Sequence, residues 1–149
     1  MRTAVCVLAV VLLVLTTGCP PPCEGADPRG YDIQYTLLST TSPGTGTVRI
    51  TGVAQNHGLS AFTASGILHL YEDYWGTWEE VASQEFGALD PGETVSVIYE
   101  RSWSTSTEFP PSAYVIWIDY GPDGLPVAQD CNLSNNELSW STSHIDDLF

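Results

Sequence analysis

Lysine is absent from this 149-residue chain, and four arginines stand against eighteen aspartates and glutamates, a formal net charge of −14. A polyanionic partner needs clustered cations, so a nucleic-acid backbone and an anionic bilayer surface are excluded as docking partners. Charged residues are only 15% of the chain, against the ~25% usual in soluble domains. Aromatic and β-branched residues are nevertheless plentiful, which is not the composition of a disordered acidic tail. Helical apolar spacing never lasts beyond a turn or two, so an all-β domain is expected. A Gly-x-Ser-x-Gly elbow, a His-Glu-x-x-His pair and a phosphate-cradling glycine loop are all missing. The three histidines, His57, His69 and His144, fall in unrelated segments and read as solvent-facing turn and sheet residues. No catalytic set is assembled, and the chain is expected not to be an enzyme.

The one long apolar run, Ala4 to Leu15, is too short for a bilayer core, which takes about 20 residues. It reads as the hydrophobic stretch of a signal peptide. Thr16-Thr17-Gly18-Cys19, with Leu15 just before, resembles the lipobox of bacterial lipoproteins. That resemblance implies a signal peptide over residues 1–18, lipidation of Cys19, and contact with a membrane through the lipid alone. Ordinary secretion with cleavage nearby is the alternative. The resemblance further implies the cell envelope as location, and Pro20 in place of Asp after the lipidated cysteine implies the outer membrane rather than the inner. Residues 19–30 then read as a lipidated, Pro-rich tether, with Pro20-Pro21-Pro22 as a stiff spacer.

With Cys6 removed and Cys19 lipidated, Cys23 and Cys131 remain, and in an oxidising compartment they pair most simply with each other. Closing so long a loop contributes at most ~4.7 kcal/mol in the chain-entropy account. The competing use, a metal site on Cys19 and Cys23, lacks the second pair that a four-ligand zinc centre needs.

From Tyr31 the chain alternates short β-type runs with Gly, Pro, Asn and Asp punctuation. Seven strands are predicted: the first with Tyr31, Ile33, Tyr35 and Leu37, the second with Val48, Ile50, Gly52 and Ala54, and the third with Leu68 and Leu70. The fourth covers Trp78 to Phe86, the fifth Thr94 to Trp103, the sixth Ala113 to Tyr120, and the seventh Glu137 to about Thr142. Asp90-Pro91-Gly92 specifies a type II turn. The sixth, apolar on both faces, is expected to be central or to lend its outer face to something. The fold expected is a seven-stranded, immunoglobulin or fibronectin-III-like β-sandwich over residues 31–143, with residues 144–149 as a short acidic tail.

The succession "VRITGVAQNHG", "ILHLYED", "LDPGETVSV", "AYVIWIDYG" and "DCNLSNNE" resembles the CARDB domain, a cell-adhesion-related bacterial module. Its most specific pieces here are Asn56 with Gly58, Leu89 to Glu93, and Asn135-Asn136. The resemblance implies an immunoglobulin-like sandwich in which these are turn and strand-end positions, none of them catalytic. It implies a binding or adhesion module whose partner is an envelope protein or polysaccharide.

Two constellations could carry a ligand. Asp119, Asp123 and Asp130, with Asn132 and Glu137 nearby, lie on an irregular loop of the kind calcium uses, although their spacing matches no EF-hand and Asp also serves turns. Calcium is the one cofactor considered. Tyr71, Tyr74, Trp75 and Trp78 crowd four aromatics around Gly76 and could stack on sugar rings, as in a carbohydrate-binding accessory domain of an envelope enzyme system, or could simply pack across a hairpin. A structural spacer is the remaining reading. Glu72-Asp73 and Glu79-Glu80 around that hairpin read as a solvated face.

Overall fold

Between Thr45 and Asn56 every second residue is buried: Gly46, Val48, Ile50, Gly52, Ala54 and Asn56. A two-residue period of this kind makes a strand with one face in the core and one toward water. From Gly66 to Asp73 the same period buries Gly66, Leu68, Leu70 and Glu72. These strands lie in the two different sheets whose packing forms the core. The computed structural model describes residues 23–121 and 129–149. Seven strands run in chain order as β1 (Pro28–Ser42), β2 (Thr45–Asn56), β3 (Gly66–Asp73), β4 (Trp78–Phe86), β5 (Thr94–Ser104), β6 (Ala113–Asp119) and β7 (Glu137–Ser141). A single turn of helix, α1 (Ser143–Asp146), follows. All the strand pairs are antiparallel, in one sheet of order β1-β2-β5 and another of order β4-β3-β6-β7.

The fold is therefore a two-sheet β-sandwich with the seven strands expected. Its core includes Ile33, Val48, Ile50, Leu68, Leu70, Val97, Trp103, Tyr114, Ile116 and Ile118. Gly52 lets the sheets approach, because a Cβ there would overlap the Ile116 side chain. As anticipated, β6 is central in its sheet, between β3 and β7.

Asn56 closes one end of the sandwich. Its side chain is fully buried and all its hydrogen-bonding capacity toward backbone is used. The Asp27 and Gly58 N–H groups donate to its Oδ1 at 2.9 and 3.1 Å. Its Nδ2 donates to the carbonyls of Ser60 and Leu89 at 2.9 and 2.8 Å. The predicted turn over Asp90-Pro91-Gly92 is present, with Gly92 at φ +83° and a Glu93 N–H to Asp90 carbonyl bond of 2.9 Å. Gly58 is glycine because a Cβ would strike the Gly25 carbonyl.

Two sequence expectations change here. The segment before Tyr31 was read as tether, but Ala26, Asp27 and Pro28 are buried and β1 already begins at Pro28. Asn56 accounts for this by holding Asp27, and the Cys131 N–H donates to the Ala26 carbonyl at 2.9 Å. Cys23 and Cys131 are joined, with Cα atoms 6.4 Å apart. Residues 144–149, read as an acidic tail, instead cap the opposite end. Ile145 is fully buried, Leu148 and Phe149 pack on the core, and the Trp103 indole N–H donates to Asp146 at 2.9 Å.

The opposite end also buries a charge. Glu72 takes the Arg101 guanidinium from across the sandwich, together with the Tyr114 hydroxyl at 2.9 Å and the Tyr74 hydroxyl at 2.7 Å. Glu72-Asp73 is thus not a solvated face as expected: Glu72 is 4% exposed because three donors replace its water. Burial disfavours the Arg101 charge, and the Tyr74 and Glu72 oxygens outweigh that, holding the guanidinium charged.

Substituting Asn56 by Ala strands the Asp27 and Gly58 N–H groups and the Ser60 carbonyl, each costing about 1–3 kcal/mol, and removes one of the two donors to the Leu89 carbonyl. Asn56→Ala is expected to lose most of a typical domain's ~5–15 kcal/mol margin, read as a collapse of the urea midpoint. A midpoint within experimental error of the parent would refute it. A second expectation concerns alkaline pH. Burial raises the Tyr35, Tyr114 and Tyr120 hydroxyls, with Glu72 adding to Tyr114 and Asp130 to Tyr120. Because the folded state holds these protons more tightly, their stabilisation is complete below the unfolded pKa of about 10 and is lost above it. Unfolding free energy should fall by up to ~1.4 kcal/mol per pH unit for each such tyrosine. Tyrosinate absorbance from these three should appear only together with unfolding.

Candidate functional site

Alternation that sends Leu68, Leu70 and Glu72 inward sends Ile67, His69, Tyr71 and Asp73 to the outer face of the four-stranded sheet. The β3–β6 register places Trp117 beside His69 and Val115 beside Tyr71, and the β3–β4 register places Trp78 beside Asp73. Four rings from three strands consequently form one row. Trp78 and Tyr71 are 5.5 Å apart between centroids, Tyr71 and His69 5.8 Å, and His69 and Trp117 6.1 Å. Val115, beside Tyr71 on the same face, is only 1% exposed although it points away from the core. The stacked inner pair is largely covered, whereas the end indoles, Trp78 and Trp117, stay 41% and 40% exposed.

Carboxylates surround the row. Asp73 stands across the ladder from Trp78 and Glu137 across from Trp117. Glu80 meets His69 Nδ1 at 3.1 Å, and Glu85 and Asp119 face Ile67 from both sides. Burial first, and then the Glu80 and Asp119 charges, push the Tyr71 hydroxyl above its ordinary range. An open groove of about 600 Å³ continues this face past Ile67, between Glu85 and Asp119. Among the described residues the three arginines all sit on the other sheet: Arg29 on β1, Arg49 on β2 and Arg101 on β5.

The aromatic constellation read from the sequence is therefore divided. Tyr71 and Trp78 belong to the outer row, whereas Tyr74 turns toward Glu72. Trp75 projects from the β3–β4 hairpin tip, 65% exposed, with φ +53° followed by Gly76 at +93°. Two successive positive φ values make a type I′ turn, whose first central position favours Asn, Asp or Gly. His69 and Trp117 complete the row: His69, read as a solvent-facing sheet residue, is instead largely covered by stacking, and Trp117 was not singled out. The signal for them was the two-faced apolarity of β6.

Of the calcium candidates, Asp130 uses both oxygens within the protein, accepting the Tyr120 hydroxyl at 2.6 Å and the Asn132 N–H at 2.9 Å. Asp119 accepts the Gly121 N–H at 2.8 Å, an Asx turn. Asp123 lies outside the described residues, as does Cys19. Among the described residues, Cys23, Asp27 and Cys131 alone bring three potential ligand atoms together, and the disulfide uses both cysteines. No described helix is long and apolar enough to cross a membrane.

No protein-family model matches the chain, and no curated protein does. Solved structures with a similar arrangement include a domain, residues 272–376, of a Methanosarcina acetivorans protein designated a cell surface protein. It is 18% identical, with a TM-score of 0.42, over 76% of this chain and 87% of that one. The β-glucosidase EmGH1 of Erythrobacter marinus is 15% identical with a TM-score of 0.38, over 78% of this chain and 15% of the enzyme. β-Glucosidase 3B of Thermotoga neapolitana is 15% identical with a TM-score of 0.39, over 78% of this chain and 16% of that one. Likeness at this level carries no argument about function.

The Trp75 backbone supplies a test of what that side chain is for. A bulky residue at positive φ costs about 1 kcal/mol or more. Trp75→Asn is expected to raise the unfolding free energy by about 0.5–1 kcal/mol, because Asn-Gly suits the I′ turn. A loss of stability in urea titration would instead make Trp75 a packing residue.

Proposed function

We propose that this chain is a non-catalytic binding module of the bacterial cell envelope, held by lipid at Cys19, with an immunoglobulin or fibronectin-III-like sandwich of the CARDB kind. The three-plus-four strand order, with β4 joined to β3 and β5 crossing to β2, supports that class of sandwich. The lipobox resemblance supports the anchor, and the same resemblance favours the outer membrane. The acidic chain has no cationic cluster with which to lie flat on an anionic bilayer.

The observation that carries this reading is the placement of the chain's entry. Cys23 is tied to Cys131, and its carbonyl accepts the Leu59 N–H at 3.2 Å, so the chain enters at the Asn56 end. Only three prolines separate Cys23 from Cys19, which limits the reach from an anchor to about 14 Å. The Asn56 end would then stand next to the bilayer. Trp75 and Phe109, 65% and 73% exposed, lie at the far end, where the Ser112 N–H donates to the Asp73 carbonyl at 2.7 Å. The sheet faces would stand upright, open to partners in the aqueous space. The roles found for the acidic residues support binding over catalysis: Glu72 neutralises Arg101, and Asp130 is spent on Tyr120 and Asn132.

The test is a non-reducing tryptic digest of the full chain isolated from membranes of a Gram-negative host. An acylated peptide starting at Cys19 and linked through Cys23 and Cys131 to the Ser102–Phe149 peptide is expected by mass spectrometry. An unacylated N-terminus with free thiols would overturn the anchor and the compartment together.

A further inference from the structure

The outer face of β4-β3-β6-β7 combines three features that are separate elsewhere on the molecule. Its two open indoles, Trp78 and Trp117, stand at the ends of one ring row. Each is paired across the ladder with a carboxylate, Asp73 for Trp78 and Glu137 for Trp117. With Glu80, Glu85 and Asp119 the face carries five carboxylates and, among the described residues, no arginine. An indole face beside a carboxylate is the pairing that receives a guanidinium or ammonium group, through ring quadrupole and ion pair at once. Against the opposite sheet the same pairing would be satisfied internally, since Arg49 already binds Glu100 at 2.7 Å. Here His69 meets Glu80 and backbone N–H groups meet Asp73 and Asp119, but among the described residues no guanidinium pairs with any of the five carboxylates.

We propose that this face is a docking surface for an extended, basic segment of a partner protein, with Lys or Arg side chains seated on Trp78 and Trp117. Charge complementarity selects the occupant. An acidic peptide or polysaccharide is repelled by the five carboxylates. A neutral sugar can hydrogen-bond these carboxylates, but only a cation also gains from their charge, and the inner ring faces are spent between Tyr71 and His69. Along an extended strand, side chains on one side repeat about every 6.6–6.8 Å. That spacing is close to the row's ring-to-ring steps of 5.5, 5.8 and 6.1 Å. An extended segment with basic residues at alternate positions can therefore reach both open ends of the row.

This deepens the binding-module reading and rests on it, but the test below does not depend on the anchor. The full chain, labelled with 5-fluorotryptophan, is titrated with an alternating arginine–threonine heptapeptide, followed by ¹⁹F NMR. The glutamate–threonine counterpart and a neutral β-glucan serve as comparison ligands. Saturable shifts of the Trp78 and Trp117 resonances by the basic peptide alone, weakening with salt, are expected. Glu137→Gln, an exposed change that leaves the core intact, should weaken binding several-fold, and Trp117→Thr roughly tenfold. Glu100→Gln on the opposite sheet should leave it unchanged. Equal shifts at Trp75 and Trp140, or equal loss with Glu100→Gln, would show attraction to an acidic protein in general and overturn the proposal. A preference for the β-glucan would overturn it in favour of a sugar site. Silence from all three ligands, alongside an acylated Cys19, would remove this face while leaving the envelope module standing.

Discussion

One buried amide determines how the chain enters the sandwich and how the loops at that end close. Asn56 terminates β2 with its side chain in the dry interior, where an unmade hydrogen bond costs more than a made one contributes. Its four bonds reach the residue before β1, the start and middle of the β2–β3 loop, and the β4–β5 loop. Without them those loops would have carbonyls and N–H groups facing nothing. The disulfide acts at the same end, and the Asn135 amide joins it by donating to Asp27 at 3.0 Å. Chain entry, two loops and the approach to β7 become one unit.

The far end uses a different solution. Glu72 and Arg101 are brought together from different sheets, and two tyrosine hydroxyls complete the shell around the carboxylate. A pair of this kind contributes little net stability over an apolar substitute, but losing one partner leaves an uncompensated charge. It therefore favours one alignment of the two sheets over a slipped one. The C-terminal turn covers this end, with Ile145 buried and Trp103 bonded to Asp146. Asn56 at one end and Glu72 at the other each have complete partners, which leaves the sheet faces as the surfaces free to specialise. They do so unequally: the described arginines lie on one sheet and the aromatic row with its carboxylates on the other.

Much of this was legible in the residues. The two-residue period identified the seven strands, turn chemistry placed Asp90-Pro91-Gly92, and cysteine counting paired Cys23 with Cys131. What escaped shares a physical cause: each case depends on a contact distant in sequence. Gly25 to Gly30 looks like linker because its packing is supplied by Asn56 and Cys131. The terminal residues look like tail because Asp146-Asp147 dominates their composition, while Ile145 and Phe149 do the packing. Glu72 sits among acids and polar aromatics, and only the fold supplies Arg101. The aromatic window around Gly76 was local, whereas the row draws on three strands and discards Tyr74.

The central claim is that the entry segment and the loops around Asn56 form part of the folded core rather than a flexible approach to it. Hydrogen exchange on the full chain tests this most directly. The account predicts that the amides of Asp27, Gly58, Phe62 and Leu89 exchange as slowly as those of β2, through global unfolding. Fast exchange at these four positions, with β2 still protected, would contradict it.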